Sequence, residues 1–467
     1  MPHRMSLAQM RDLIAHRQLS ASELIESHLR QIERVNPSIN AFIQVYEEDA
    51  RRAAREVEAA VARGEALGPL AGIPVSVKDA FDLAGQVTFC GSKLRAAEHA
   101  ATDATAVRRL REAGAIVLAK TSCPEFLFNW DTDNHLIGRT NNPWNPELTA
   151  GGSSGGDAAA IASFCVSGGL GSDGGGSIRV PAHFCGICGL KPTPGRVPAT
   201  GHWPVIAHPG GLLGVAGPMA RSAADLRILF EVLAGHDPRD PFSVPMPLRG
   251  PILNEVRVAV MEQFNEIPVQ PAIRNAVRRC GDLLAAMGFL TEPFDAEPIA
   301  AAPALWWTLF AEANAPLIGA LIRGREAECH WTGTEIYNRL KDELALSARR
   351  LIEVLMERDR LRGELLAWMG SRTLILAPVI GVTAWKHGER KFTVGSGGAS
   401  IELFTDALAC TVPWNLFGMP SVAIPMTMTE NGIPVGVQIV GPPYSEETLL
   451  EVAVRIEEAR GAFPRLA

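Results

Sequence analysis

Two serine clusters set in glycine, Gly151-Gly152-Ser153-Ser154-Gly155-Gly156 and Gly174-Gly175-Gly176-Ser177-Ile178-Arg179, lie between Ala150 and Leu190. Far upstream a lysine, Lys78, follows the apolar run Gly72-Ile73-Pro74-Val75-Ser76-Val77 and precedes Asp79. Glycine admits positive φ and can turn backbone N–H groups toward a guest. A serine in such a run has its hydroxyl beside ready-made oxyanion donors. Lysine is the side chain that burial can convert from cation to base. A serine nucleophile, an amide cradle and a neutral amine suffice for acyl transfer without histidine or metal.

Each residue also has a plainer reading. The glycines around Ser177 could form a tight turn or an anion nest. Ser153 and Ser154 fall in overlapping G-x-S-x-G frames, and Ser154 could equally cap a helix. A lysine just past a strand end commonly reaches out to water. Asp173 and Arg179 flank Ser177 and could pair across its loop. Cys185-Gly186-Ile187-Cys188 has redox or metal spacing, but no second pair and no histidine cluster accompanies it, so packing is the expected role.

The elements that must position these residues follow from hydrophobic spacing. Ile73–Val77 and Ala115–Ala119 read as buried strands, and the segment before the second is helical, which suggests layered α/β architecture. Asp157–Ser167 reads as an alanine-rich helix opening from the first glycine loop, and Val180–Cys188 as one opening from the second. Ser20-Ala21-Ser22-Glu23 is a capping box. The span 300–370 reads as mostly helical and carries Trp306, Trp307 and Trp331. Strands return at Thr373–Ala377, Ser421–Pro425 and Val435–Val440, before a last helix at Glu446–Arg460. Strand material at both ends points to one sheet completed by distant parts of the chain.

Composition narrows the classes. The 467 residues are 47% hydrophobic with a net charge of −7, which gives no reason to expect nucleic acid or an anionic membrane as partner. The apolar runs fall short of the length that predicts a membrane span. The start lacks an apolar leader, eight cysteines are too few for a disulfide framework, and the cytoplasm is the default compartment.

Together, Gly-Ile-Pro-Val-Ser-Val-Lys-Asp at 72–79, the cluster at 151–156 and Ser-Asp-Gly-Gly-Gly-Ser-Ile-Arg at 172–179 resemble the amidase signature family. So do Gly-Arg-Thr-Asn-Asn-Pro-Trp at 138–144, Gly-Pro-Met at 217–219 and Gly-Ile-Pro-Val-Gly-Val-Gln-Ile-Val-Gly at 432–441. The resemblance covers nearly the whole chain. It implies an α/β fold, a large mixed twisted β-sheet covered by helices on both faces, as a single domain over 1–467. N-terminal helices at about 6–65 would pack on the core, and about 270–370 would form a helical substrate-pocket insertion. It implies a Ser-cis-Ser-Lys triad: Ser177 as nucleophile, Ser153 as the bridging serine with a cis peptide bond, Lys78 as base. The N–H groups of Gly174, Gly175, Gly176 and Ser177 would form the oxyanion hole, with Ser154, Asp173 and Arg179 in support. Gly174 departs from the pattern, since members often carry a larger residue there.

The implied reaction is hydrolysis of a small carboxylic acid amide to the acid plus ammonia or amine through an acyl-enzyme, with no cofactor or metal and a homodimer as default. Phe126, Leu127, Trp130, Trp306, Trp307 and Trp331 would wall the acyl pocket. Three other readings compete. One is the glutamine-hydrolysing A-type subunit of a tRNA-dependent amidotransferase; residues 300–340 lack the Tyr-Gly-x-Arg element expected of it. A second is a Ser-His-Asp hydrolase using Ser154 and His387. A third is a non-catalytic anion or nucleotide binder.

Overall fold

In the computed structural model, residues 1–206, 213–342, 346–395 and 398–466 are described. In chain order the strands are β1 (Phe42–Val45), β2 (Pro74–Lys78), β3 (Ile116–Thr121), β4 (Gly168–Asp173), β5 (Cys188–Lys191), β6 (Val215–Ala220), β7 (Arg257–Val260), β8 (Leu290–Pro293), β9 (Thr373–Pro378), β10 (Lys391–Val394), β11 (Ala399–Glu402), β12 (Ser421–Met428) and β13 (Pro434–Val440). Eleven of them form one sheet in the order β1-β3-β2-β4-β6-β5-β12-β13-β9-β7-β8, while β10 and β11 make a separate hairpin. The sheet is mixed: β2 runs parallel to β3 and β4, β7 parallel to β8 and β9, and the remaining pairs are antiparallel. C-terminal strands therefore sit at the sheet's middle, completing it from a distance as the sequence suggests.

The site hangs on β2 and β4. β2 is apolar and fully buried, as a strand covered on both faces must be. β4, Gly-Gly-Leu-Gly-Ser-Asp, has almost no β-forming residue, and sequence reasoning missed it. Its glycines are set by close approach. A Cβ on Gly168 would come 2.6 Å from Leu229, in the helix Ala223–Leu233. One on Gly169 would come 2.6 Å from Ser76 Oγ and 2.8 Å from Asp157 Oδ1, in the helix Gly155–Ala162. Successive Cβ positions point to opposite faces, so those two helices flank β4 on either side at backbone distance.

Observed elements differ from the expected ones in places. The helix after Ser177 runs Arg179–Cys185 and ends at Gly186 in the left-handed region (φ 71°), so Cys188 begins β5. The span 270–370 is not one helical insertion: Pro271–Ala286 packs back on the sheet and β8 pairs with β7. Leu290-Thr-Glu-Pro is too short and half-polar to show as a strand alone. One helical run, Glu297–Ile322, is long and apolar enough by length and composition alone to cross a membrane, which makes it a weak candidate; its Trp306 and Phe310 pack against the Gly174–Gly175 loop.

Candidate active site

Lys78 ends β2 with both faces of its strand covered, so its ammonium has no route to water and is 0% exposed. Its Nζ lies 2.7 Å from Ser153 Oγ, 3.1 Å from Ser172 Oγ and 3.5 Å from the Ser172 carbonyl. Burial pushes the Lys78 pKa below the ordinary lysine value of 10.5, and the nearby Cys123, Asp157 and Cys90 groups offset this only in part. Ser172, at the end of β4, was missed by sequence reasoning; it stands beside Asp173 in the glycine motif, and only folding reveals that it faces Lys78.

Ser153 follows a cis peptide bond from Gly152. Ser154 donates through Oγ to the Ser172 carbonyl at 3.3 Å, and its N–H donates to the Ser177 carbonyl at 3.0 Å. It thus ties the two serine loops together. Ser177 is 8% exposed, and lines a cavity of about 400 Å³ shared with Ser153 and Ser172. Its hydroxyl makes no hydrogen bond among the described residues, whereas Ser153 is held by Lys78.

The loop 174–177 is held by its outward groups. Trp306 Nε1 donates to the Gly174 carbonyl and Trp130 Nε1 to the Gly175 carbonyl, each at 2.9 Å. Gly176 adopts φ 99°, and a Cβ there would come 2.5 Å from Thr411; only glycine fits. The Gly176 N–H donates to Asp173 Oδ1 at 2.7 Å. The Gly176 N–H, expected among four cradle donors, is thus spent inside the loop. The N–H groups of Gly174, Gly175 and Ser177 have no partner among the described residues.

Asp173 and Arg179 pair as their positions suggest, Arg179 Nε donating to Asp173 Oδ2 at 3.0 Å with both side chains fully buried. Burial alone would push the Asp173 carboxyl up, but the Arg179 guanidinium and the Asn415 amide hold it well below the usual carboxylate range. Arg179 also donates to the Thr411 carbonyl and Gln438 Oε1, at 3.0 and 2.8 Å, and to Asn415 Oδ1. Asn415 and Gln438 lie over 230 residues from this loop, and no local pattern announces them. Asp79 pairs with Lys120 at 3.3 Å, away from Lys78's amine.

Phe126 and Leu127 line the cavity together with Phe128, Phe310, Leu317 and Ile318. The four tryptophans do not. Trp130 and Trp306 are struts behind the loop, Trp307 packs on Phe404 with ring centroids 5.7 Å apart, and Trp331 lies under the Arg390 guanidinium at 4.9 Å. An indole N–H needs a partner when buried, and the loop carbonyls supply it. Gly174 leaves room that Phe310 fills: a Cβ there would come 3.3 Å from the Phe310 ring.

His387 faces Asp131 at 3.9 Å, and among the described residues no histidine hydrogen-bonds to Ser153, Ser154 or Ser177. This removes the support for a Ser-His-Asp arrangement. Cys185 and Cys188 turn to different partners, the Ala150 carbonyl and Glu457.

A buried amine lies against a serine hydroxyl here, beside a glycine loop and an apolar cavity, an arrangement chemically capable of acyl transfer. Residues 23–450 match the family model described as Amidase. The chain belongs to the amidase signature family, whose members here hydrolyse amide bonds. It is 33% identical over 458 residues to an indoleacetamide hydrolase of Bradyrhizobium diazoefficiens, covering 95% of this chain and 84% of that one. It is 35% identical over 489 residues to the A-type subunit of a glutamyl-tRNA(Gln) amidotransferase of Syntrophobacter fumaroxidans, covering 98% and 97%. A solved structure of 6-aminohexanoate cyclic dimer hydrolase with substrate superposes with a TM-score of 0.85 at 30% identity, covering 98% of each chain.

Proposed function

We propose that this enzyme hydrolyses primary amides of aryl or alkyl carboxylic acids, with Ser177 as nucleophile, Ser153 as proton relay and Lys78 as base. The observation that carries the reading is the 2.7 Å contact between a fully buried Lys78 amine and Ser153 Oγ. Desolvation favours the neutral amine. Neutral Lys78 accepts the Ser153 proton while Ser153 accepts that of Ser177. Ser177 Oγ attacks the amide carbonyl, and the oxyanion meets the N–H groups of Gly174, Gly175 and Ser177. The relay then runs backward. Lys78 returns the proton through Ser153 to the leaving nitrogen, ammonia departs, and water cleaves the acyl-enzyme by the same path. Apo hydrogen bonds of this kind commonly tighten only with substrate bound, which accounts for the unpaired Ser177 hydroxyl.

The apolar cavity favours an aryl or alkyl acyl group, in keeping with the indoleacetamide hydrolase relative. Glutamine, the substrate of the competing amidotransferase reading, carries an ammonium and a carboxylate. Among the described lining residues the one charged group is Asp173, already committed to Arg179. The test is ammonia release across aliphatic, aryl-alkyl and amino-acid amides, with Ser177→Ala as control. Aryl-alkyl amides should lead, and the Ala variant should lose about 10³-fold or more in kcat. Equal release by wild type and variant would overturn the nucleophile; a lead for glutamine would overturn the substrate class.

A further inference from the structure

Among the described lining residues other than Ser153, Ser172, Asp173 and Ser177, the polar side chains are those of His202 and Asn314. His202 belongs to the Lys78 end. Its ring packs edge-on against Phe81 at 4.8 Å, and Phe81 N–H donates to the Lys78 carbonyl. Asn314 lies one helical turn beyond Phe310, whose ring abuts Gly174.

Asn314 precedes the helix Ala315–Ile322 and would ordinarily cap it with its side chain, but it does not. Its Nδ2 instead donates backward to the Leu309 and Phe310 carbonyls, at 3.2 and 2.8 Å. Two carbonyl acceptors fix which end of the amide is nitrogen. The polar atom left over is Oδ1, an acceptor with no partner among the described residues. Asn314 stands beside Phe128, Phe310, Leu317 and Ile318 and is partly exposed, so water can satisfy Oδ1 when no guest is bound; a guest that covers it displaces that water and must supply a donor in its place. Phe128 and Phe310 stack at 5.2 Å with 24° between planes, and Trp306 stacks on Phe310 at 4.5 Å. A flat ring lying along that aromatic wall, its amide at Ser177, would present its far edge to Asn314.

We infer that Asn314 Oδ1 is a specificity-determining acceptor, selecting amide substrates whose aromatic acyl group carries a ring N–H or O–H donor. This rests on the amidase reading above and names the substrate class of that site. The hydrogen bond neither forms nor breaks in the reaction, so it acts on selection between substrates. An analogue lacking the donor would leave Oδ1 unpaired, and such sites reject the analogue strongly.

The experiment compares indole-3-acetamide with its benzothiophene isostere, in which sulfur replaces the ring N–H. Wild type should show kcat/KM about tenfold or more higher for the indole. Asn314→Leu, of similar volume, should bring the two within about twofold. A merely structural role would lower both substrates by one factor and preserve the ratio, and that result overturns the inference, as does a wild-type ratio near unity. Should the Leu variant fail to fold, Asn314→Ala reads the same ratio. Direct binding of both amides to Ser177→Ala gives an independent measure and must show the same preference. Loss of ammonia release from every amide in the wild type would instead overturn the amidase reading, which keeps the two failures distinct.

Discussion

In the proposed mechanism Lys78 acts only while neutral, so its environment would set the working pH. Burial lowers its pKa, while Asp157, whose carboxyl burial pushes up to about 6, sends an opposing field once ionised. kcat/KM should therefore rise with pH through a basic limb whose midpoint lies below 10.5, the ordinary lysine value. Asp157→Asn removes the opposing negative charge, so the amine sheds its proton more readily and the limb should move to lower pH, by up to about one unit. A pH–rate profile of the two proteins checks this; an unmoved limb would mean that the titrating group is not Lys78. The carboxyl's raised pKa also means that its contribution to stability, present below about 3.9, is lost as pH rises through about 6.

Among the elements, the loop after β4 does the most with the least sequence. Its carbonyls are held by two indoles, and its free N–H groups point elsewhere as a consequence. Trp306→Phe keeps the ring that stacks on Phe310 but removes the donor to Gly174. Steady-state kinetics should show kcat falling about tenfold with a much smaller change in KM, because the donors' aim matters most in the transition state. Unchanged kcat would show that the loop keeps its shape without the strut. Ser153, Ser177 and Lys78 stood out in the sequence because each lies in a contiguous motif. β4 was not, because a glycine strand defies propensity and is explained only by Leu229, Ser76 and Asp157 crowding it. The tryptophans were misplaced for a related reason: sequence shows large aromatics near a pocket but not which way an indole N–H turns.

At the scale of the whole molecule, Arg179 joins the Ser177 loop to Asn415 and to Gln438 on β13. Gln438 in turn donates to the Pro378 and Cys410 carbonyls at 2.8 and 2.9 Å. Long-range contacts of this kind are invisible to spacing, which is why the strands at the chain's end were foreseen but their tie to the loop was not. Arg179→Met would strand a buried carboxylate, at a cost of about 3–5 kcal/mol. The pH dependence has a definite sign. Asp173 is depressed in the folded state, so the pair's stabilisation is present above the unfolded carboxylate value of about 3.9 and is lost as pH falls through the lower folded value. Thermal melting should show the variant's deficit widest near neutrality and narrowing in acid; a deficit independent of pH would point to packing instead.

The glycines of β4 carry one more implication, for descent with modification. Glycines whose every added methyl would collide have no freedom to drift, so the strand that leads into the Ser177 loop is frozen. Most of the apolar cavity wall, at residues 126–128, 204–206 and 310–318, lies outside the sheet, with Val215 of β6 the exception among the described apolar lining residues. New substrates can be acquired there by ordinary replacement while the reaction itself is inherited unchanged, a division of labour under which one scaffold can diversify its diet without reinventing its chemistry.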